Sequence, residues 1–151
     1  MALTANAQRN MKLHRHQLNA LPVAAATVIF TGALVATQDA DGLAVPASDA
    51  AAQTLQGVAF EGLDNSTGAA GTIPYTAGTD DNLLGAERVV RVDQVGEWEF
   101  TVNGADPKPG QTAYVVDDDT VSAAAGVNGV VAGRFTRPGN YGGWFVDVGA
   151  R

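Results

Sequence analysis

A strict alternation of apolar and polar side chains over residues 97–102 is the feature that most constrains the fold of this chain. Trp98, Phe100 and Val102 occupy every second position, and two glutamates and a threonine lie between them. Residues 90–93 alternate in the same way, with two valines against an arginine and an aspartate. Because successive side chains of a β-strand point to opposite faces, a period of two predicts strands with one apolar face. The intervening acids are predicted to lie on an exposed outer face.

Short β-prone runs recur along the rest of the chain, separated by the glycine, proline, asparagine and aspartate residues that favour turns. The runs cover residues 27–30, 33–37, 43–45, 56–60, 113–116, 120–122, 127–135 and 144–148. With the two alternating segments they predict an all-β fold, a small β-sandwich or barrel. Pro46 is expected to end its strand or to place it at a sheet edge.

Two segments leave room for helix. Residues 48–54 predict one helical turn with Ser48 as its cap. The alanine-rich segments remain open to a helical interpretation, because short apolar runs do not separate the two structures by pattern alone.

Composition limits the size and the class of the protein. A chain of 151 residues is expected to form one domain plus a tail. It has no cysteine, which excludes disulfides and thiolate metal sites. Charged residues make up 17%, below the roughly 25% of ordinary domains, so a partly covered surface and an oligomer are favoured. A net charge of −7 argues against a body that binds nucleic acid.

The first 38 residues contain no acidic side chain, whereas all sixteen acids of the chain follow them. The cations and histidines of this leader are Arg9, Lys12, His14, Arg15 and His16. Residues 1–20 show no periodic pattern and are predicted to form an extended N-terminal arm before a β-rich domain at 21–151. A basic arm on an acidic body predicts that these five side chains contact a partner.

The leader also has the outline of a secretory signal, with charges at residues 9–16 before an apolar stretch at 23–36. Thr27, Thr31 and Gly32 interrupt that stretch, and no clean small-x-small cleavage site follows it. We therefore expect it not to be an export signal. No run approaches the roughly twenty apolar residues of a transmembrane helix, so no membrane association is expected.

Two acidic turns are candidates for cation binding. The sequence from Asp39 to Gly42 begins like a calcium loop, but Leu43 and Ala50 stand where later oxygen ligands belong. Three consecutive acids occur at residues 117–119, yet neighbouring side chains of a strand cannot converge on one ion. We interpret the first as a hairpin turn and the second as a solvated hairpin tip.

Catalytic groups are equally sparse. Glu97 and Glu99 are expected about 7 Å apart on one strand face, and paired carboxylates can hydrolyse glycosides. No apolar cleft pattern accompanies them. The only histidines, His14 and His16, lie in the leader, which is a poor place for a preorganised base. We expect no enzymatic activity, no cofactor and no metal.

The order of motifs in the chain carries a family resemblance. A glycine-bounded strand, an acidic tip and a second strand occupy residues 108–121. The other motifs that carry it lie at residues 32–36, 41–47, 55–59, 129–135 and 143–148. This order, over residues 11–151, resembles the small cement or decoration proteins of tailed-phage capsids.

The resemblance implies a β-rich structural protein on the outer capsid surface of a virion. It implies a homotrimer at threefold or quasi-threefold positions that bridges major capsid subunits and stabilises the shell. The prime contacts are then expected in residues 1–30 and in the long loop at 61–85, where Pro74 and Tyr75 are candidate contacts beside the leader side chains.

Two other classes stay open. A secreted or surface carbohydrate-binding β domain would use Trp98, Trp144 and Tyr141 as stacking rings. An enzyme would use Glu97 and Glu99, or the acids at 117–119, as its reactive groups.

Overall fold

The computed structural model describes residues 2–6, 18–73 and 86–149, and within them the chain forms twelve strands and no helix. The strands are β1 Leu18–Pro22, β2 Thr27–Ile29, β3 Leu34–Gln38, β4 Ala44–Pro46, β5 Gln53–Ala59, β6 Leu63–Asn65, β7 Val89–Asp93, β8 Glu97–Asn103, β9 Thr112–Val115, β10 Thr120–Ser122, β11 Val131–Pro138 and β12 Trp144–Asp147. The predicted all-β class is confirmed. No helix of the described segments has the length and apolarity to cross a membrane.

The second half of the chain closes into a five-stranded barrel in the order β10-β8-β12-β11-β9. All neighbours are antiparallel except β8 and β10, which run parallel. The two aromatic side chains of the alternating segment lie inside as predicted, since Trp98 and Phe100 are buried in the barrel cluster. Phe135 and Val146 are fully buried in the same cluster, from β11 and β12. Burial of each such side chain stabilises the fold by about 1.5–3 kcal/mol.

Strands between residues 18 and 93 form a second sheet in the order β1-β7-β5-β3-β4. A bridge between Val23 and Ala44 brings the end of β1 to the opposite edge strand, so the sheet curls around its own apolar cluster. The strand pair β2–β6 covers this cluster, with Ile29 buried and Leu63 packed against it. The described part of the chain therefore contains two apolar clusters.

Strand β3 belongs to both clusters. Leu34 and Ala36 face the barrel cluster, whereas Val35 faces the cluster of the curled sheet. A strand that is buried on both faces has a continuous apolar sequence, which explains why residues 33–36 show no alternation. The pairing with β5 shifts register beside Gly57, whose α-carbon lies too close to the carbonyl of Asp93 for any side chain.

The predicted helical turn at 48–54 is wrong. Ala52 has a φ of 58°, which a right-handed helix cannot include, and β5 begins at the next residue. The side chain of Gln53 instead accepts hydrogen bonds from the Ser48 N–H and hydroxyl, at 3.1 and 3.3 Å. Pro46 ends β4 at the edge of the sheet, as predicted.

Candidate partner interface

The N-terminal residues 2–6 bind the body of their own chain. The N–H of Leu3 donates to Oδ1 of Asp118 at 3.0 Å, and the Leu3 side chain packs against the curled-sheet cluster. The side chain of Asn6 accepts the N–H of Thr31 at 2.9 Å and lies directly over Gly62. These contacts fix the chain on the body before the basic residues of the leader begin.

The acidic tip at residues 117–119 is not the fully solvated turn that we predicted. Asp118 is only 4% exposed, and its backbone carbonyl accepts the N–H of Leu34 at 2.8 Å. Burial raises the pKa of the Asp118 carboxyl; the charges of the neighbouring aspartates add to the rise and the Leu3 N–H opposes it. The tip does join the antiparallel strands β9 and β10, as expected of a hairpin. Sequence gave no signal of this role, because the residue that Asp118 binds is 115 positions away.

The five leader side chains that we predicted as partner contacts, Arg9, Lys12, His14, Arg15 and His16, lie outside the described residues. The residues on both sides of them are described. Asn6 is bound to Thr31, and Leu18 begins β1, paired with Asp93 of β7. Strand β1 thus starts inside the predicted arm at 1–20, and the basic stretch joins two points on the body.

Both of these points lie near one exposed surface, which we name the Phe60 patch: Leu18, Phe60 and the ion pair of Glu61 with Arg91. Phe60 is 52% exposed and Leu18 is 45% exposed. The N–H of Phe60 donates to the carbonyl of Arg91, and the Arg91 guanidinium lies 3.1 Å from Glu61. Leu18 is paired with Asp93, two residues along β7 from Arg91. Asn6, at the other end of the basic stretch, lies against Gly62, two residues after Phe60.

Pro74 and Tyr75, the other predicted contacts, also lie outside the described residues. The segment that contains them leaves and rejoins the body beside a bridge between Thr72 and Glu87. That bridge precedes the Val89 end of β7, whereas Leu18 lies at the Asp93 end. The structure therefore attaches the two predicted contact segments at opposite ends of the β1–β7 pair.

An open groove of about 740 Å³ lies along the first part of β5, from Gln53 to Gln56. We name it the β5 groove; residues 50–56 and 128–131 line it. Asp39 accepts the hydroxyl of Thr54 at 2.9 Å, and Asp49 accepts the N–H of Asn128 at 3.1 Å. Two carboxylates outside the groove are therefore bonded to lining residues, and the lining itself contains no charged side chain. No local sequence pattern indicates this groove, because its two walls are more than seventy residues apart in the chain.

The predicted acid-rich outer face of β8 is only partly correct. Glu97 is half-buried, and Glu99 is 7% exposed because the loop at residues 139–143 folds over it. Oε1 of Glu99 accepts the N–H of Tyr141 at 2.8 Å and that of Gly143 at 3.2 Å. Gly139 lies so close to Glu99 that a side chain there would collide with the carboxylate, and a side chain at Gly143 would collide with the backbone carbonyl of Phe100. Glu99 therefore fixes the loop at 139–143, and Tyr141 in this loop is 86% exposed.

The three aromatic rings proposed for carbohydrate stacking differ in how far they are exposed. Trp98 is 5% exposed in the barrel cluster, and Trp144 packs edge-on against Phe135, with 6.0 Å between the ring centres. Tyr141 alone of the three projects into solvent.

No group of three or more histidine, cysteine or acidic side chains able to hold a metal ion occurs among the described residues. Comparison with protein families, with curated proteins and with solved structures gave no match to this chain.

Proposed function

We propose that this chain is a structural virion protein that binds the outside of a tailed-phage capsid and stabilises it by bridging major capsid subunits, as a trimer. The observation that carries the proposal is that the body holds the leader at Asn6 and again at Leu18. The residues between these points include all the cations of the leader. A basic stretch fastened at both ends suits adhesion to a larger surface, which is what the family resemblance implies.

Fastening has an energetic consequence for binding. A free arm loses roughly 1–2 kcal/mol of conformational entropy for each backbone residue that a partner orders. A stretch whose ends are already fixed has fewer conformations to lose, so more of its contact energy appears as affinity. Its charges would mainly set the orientation and the rate of docking on an acidic surface.

The close packing of the β body also supports the proposal. Two apolar clusters share β3, and the exposed loop at 139–143 is tied down by a buried carboxylate. A body of this kind transmits load between the subunits that it bridges without first rearranging, because close-packed interiors have low compressibility.

Of the three rings of the carbohydrate-binding alternative, Tyr141 is fully on the surface, Trp144 is half-buried and Trp98 is buried. The alternative makes a specific prediction: glycan binding that is lost in Tyr141→Ala and kept in Trp144→Ala.

The leader can be tested without disturbing the body. Deleting residues 1–20 would also remove the Leu3–Asp118 and Asn6–Thr31 bonds and three residues of β1, so its effect would be ambiguous. The informative variant is Arg9→Gln/Lys12→Gln/Arg15→Gln, which leaves the described segments intact. Its control is Lys108→Gln/Arg134→Gln, which neutralises exposed cations elsewhere on the body.

Binding is measured by co-sedimentation with undecorated capsid shells at several salt concentrations. We expect the leader variant to lose occupancy, and the remaining binding to depend less on salt, while the control binds like wild type. Equal occupancy of wild type and the leader variant would exclude the basic stretch from the interface.

A further inference from the structure

We propose that the contact joining the curled sheet (β1, β3, β4, β5 and β7) to the barrel (β8 to β12) is repeated between copies of this chain. The outer face of β9 and β11 in one copy docks on the end of the curled sheet at which β1 begins in a second copy. An internal duplication carries the proposal, because the curled sheet and the barrel are two versions of one fold. Since it concerns contacts between copies, the proposal goes beyond the proposed function and can be tested without a capsid.

The curled sheet and the barrel have the same strand order. The barrel order is β10-β8-β12-β11-β9, and the sheet order is β1-β7-β5-β3-β4, with a parallel bridge between Val23 and Ala44 joining its two ends. Counted from this bridge, the sheet becomes β4-β1-β7-β5-β3, and each strand matches the strand at the same place in the barrel. The bridge itself corresponds to the parallel pair of Val102 with Val121.

The pairing register of the matching strands agrees as well. The corresponding pairs are Leu34–Val58 and Thr112–Arg134, Val35–Gly57 and Ala113–Gly133, and Ala36–Leu55 and Tyr114–Val131. Both sets shift register between their second and third pair. A side chain at Gly57 would collide with the carbonyl of Asp93, and one at Gly133 would collide with that of Asp147.

The glycines that lead into the matching strands have the same conformation. Gly32 lies two residues before β3 and Gly110 lies two residues before β9, with φ values of 84° and 83°. Their N–H groups donate to the carbonyls of Ala59 and Phe135, at 2.9 and 2.7 Å. Agreement in strand order, register and glycine geometry means that the body uses one fold twice, with β2 and β6 added to the first version.

Within the chain, the first version covers one end of the second. The outer face of β3 and β5 carries Leu34, Ala36 and Val58, which are buried and belong to the barrel cluster. The N–H of Leu34 donates at 2.8 Å to the carbonyl of Asp118, in the turn between β9 and β10. The covered end of the barrel is therefore the end at which β9 stops and β8 begins.

The outer face of β9 and β11 is the counterpart of this covering face. It carries Thr112 and Tyr114, which are half-buried, and Arg134, which is exposed. Val131, the counterpart of Leu55, lies at its edge in the β5 groove. We name the surface formed by residues 112, 114 and 134 the Tyr114 face.

The end of the curled sheet at which β1 begins is the counterpart of the covered end of the barrel. Apolar barrel residues at the covered end have polar counterparts here: Trp98 corresponds to Asn19, Val115 to Thr37 and Val148 to Gln94. The three barrel residues are buried, whereas Asn19 is exposed and Thr37 and Gln94 are half-buried. We name the surface formed by residues 19, 37 and 94 the Asn19 end.

The Tyr114 face and the Asn19 end fit each other because each is the counterpart of a surface that is already joined within the chain. Arg134 and Asn19 are exposed, so the two surfaces do not cover each other within one molecule. A second copy supplies the missing side in the arrangement that the chain already uses. The Tyr114 face carries a tyrosine and an arginine, which are enriched at interfaces, and none of the lysine or glutamate that is depleted there.

The composition of the two surfaces predicts a reversible contact. The contact within the chain is apolar and forms once, on folding. Tyr114, Thr112 and Asn19 have to face water until two copies meet, and polar surfaces of this kind are typical of non-obligate interfaces. We therefore expect weak association in dilute solution that strengthens when copies are held side by side.

The contact within the chain also predicts where two copies touch. Thr112 corresponds to Leu34, and the turn at residues 39–42 corresponds to the turn that holds Asp118. Thr112 of one copy should therefore lie beside Ala40 of another. The chain has no cysteine, so Thr112→Cys and Ala40→Cys each introduce a single thiol. A disulfide between them requires α-carbons within about 7 Å of each other.

Equimolar mixtures of the full-length variants are oxidised mildly, and intact mass separates the mixed disulfide from the two homodimers. In the control mixture Asn140→Cys, an exposed loop position, replaces Ala40→Cys. We expect Thr112→Cys to form the mixed disulfide with Ala40→Cys on the order of tenfold faster than with Asn140→Cys, because docking raises the local thiol concentration. Adding Tyr114→Glu to Thr112→Cys should remove this advantage, whereas adding Tyr141→Glu, at an exposed tyrosine elsewhere, should keep it. Thermal unfolding checks that each variant is folded.

A mixed disulfide that forms no faster than the control would overturn the proposal and show that the polar surfaces cap the tandem instead. Homodimers that form faster than the mixed disulfide, or an advantage that survives Tyr114→Glu, would overturn it too. None of these results bears on shell occupancy, which is measured separately, so the two proposals fail independently.

Discussion

Replacing Asp118 separates the two opposing effects of its carboxylate, and the result tests whether the N-terminal residues are fastened to the body. The carboxylate accepts the N–H of Leu3 at 3.0 Å and is 4% exposed. A hydrogen bond to a charged acceptor contributes about 1.5–3 kcal/mol, whereas burial of the charge is unfavourable, as the raised pKa of Asp118 indicates. Asp118→Ala removes both effects. Asp118→Asn removes the charge but keeps a side-chain oxygen that can accept the Leu3 N–H.

The two variants are therefore expected to differ. At neutral pH, Asp118→Asn should be at least as stable as wild type, and Asp118→Ala should unfold about 1–2 kcal/mol more easily than Asp118→Asn. Urea unfolding gives the free energies, and amide hydrogen exchange reports on Leu3 directly, with faster exchange expected in Asp118→Ala. Equal stability and equal Leu3 exchange in the alanine and asparagine variants would show that this bond does not fasten the leader to the body.

Three further predictions follow from the same structure. Because burial raises the folded-state pKa of Asp118, the contribution of this carboxyl to stability is full below its unfolded pKa of about 3.9 and is lost as pH rises through the folded pKa. Urea unfolding of wild type and Asp118→Asn between about pH 4 and 8 should therefore show a stability difference that grows in favour of asparagine as pH rises. A difference that stays constant with pH would contradict this prediction. Glu99→Ala should release the loop at 139–143 and lower the free energy of unfolding by about 2–4 kcal/mol, whereas Glu99→Gln should lower it less because glutamine keeps an acceptor. Unchanged amide exchange at Tyr141 in the alanine variant would refute this role of Glu99. Phe135→Ala should lower the free energy of unfolding by about 3–5 kcal/mol, because Phe135 is fully buried in the barrel. A loss below about 1 kcal/mol, measured by urea unfolding, would show that Phe135 does not pack in the barrel cluster as described.

The parts of the fold that follow from local pattern could be predicted from the sequence. The alternation at 97–102 correctly placed Trp98 and Phe100 inside, because period two is a local property of a strand. Pro46 correctly marked the end of an edge strand, because proline removes a backbone donor.

The parts that depend on distant neighbours could not. Glu99 has the alternation of an exposed acid, yet it is buried by a loop some forty residues later in the chain. Asp118 looks like a solvated turn residue until the N-terminus is placed over it. The continuous apolar run at 33–36 gives no indication that its side chains serve two different clusters. The β5 groove likewise exists only once β5 and the start of β11 come together.

Adhesion to a capsid is the central claim, and the number of copies bound to the exterior of purified, undecorated shells tests it most directly. Cryo-electron microscopy of shells incubated with the wild-type chain should show saturable added density on the outer surface at threefold or quasi-threefold positions. Shells whose outer surface is unchanged at saturating concentrations of the chain would contradict the account.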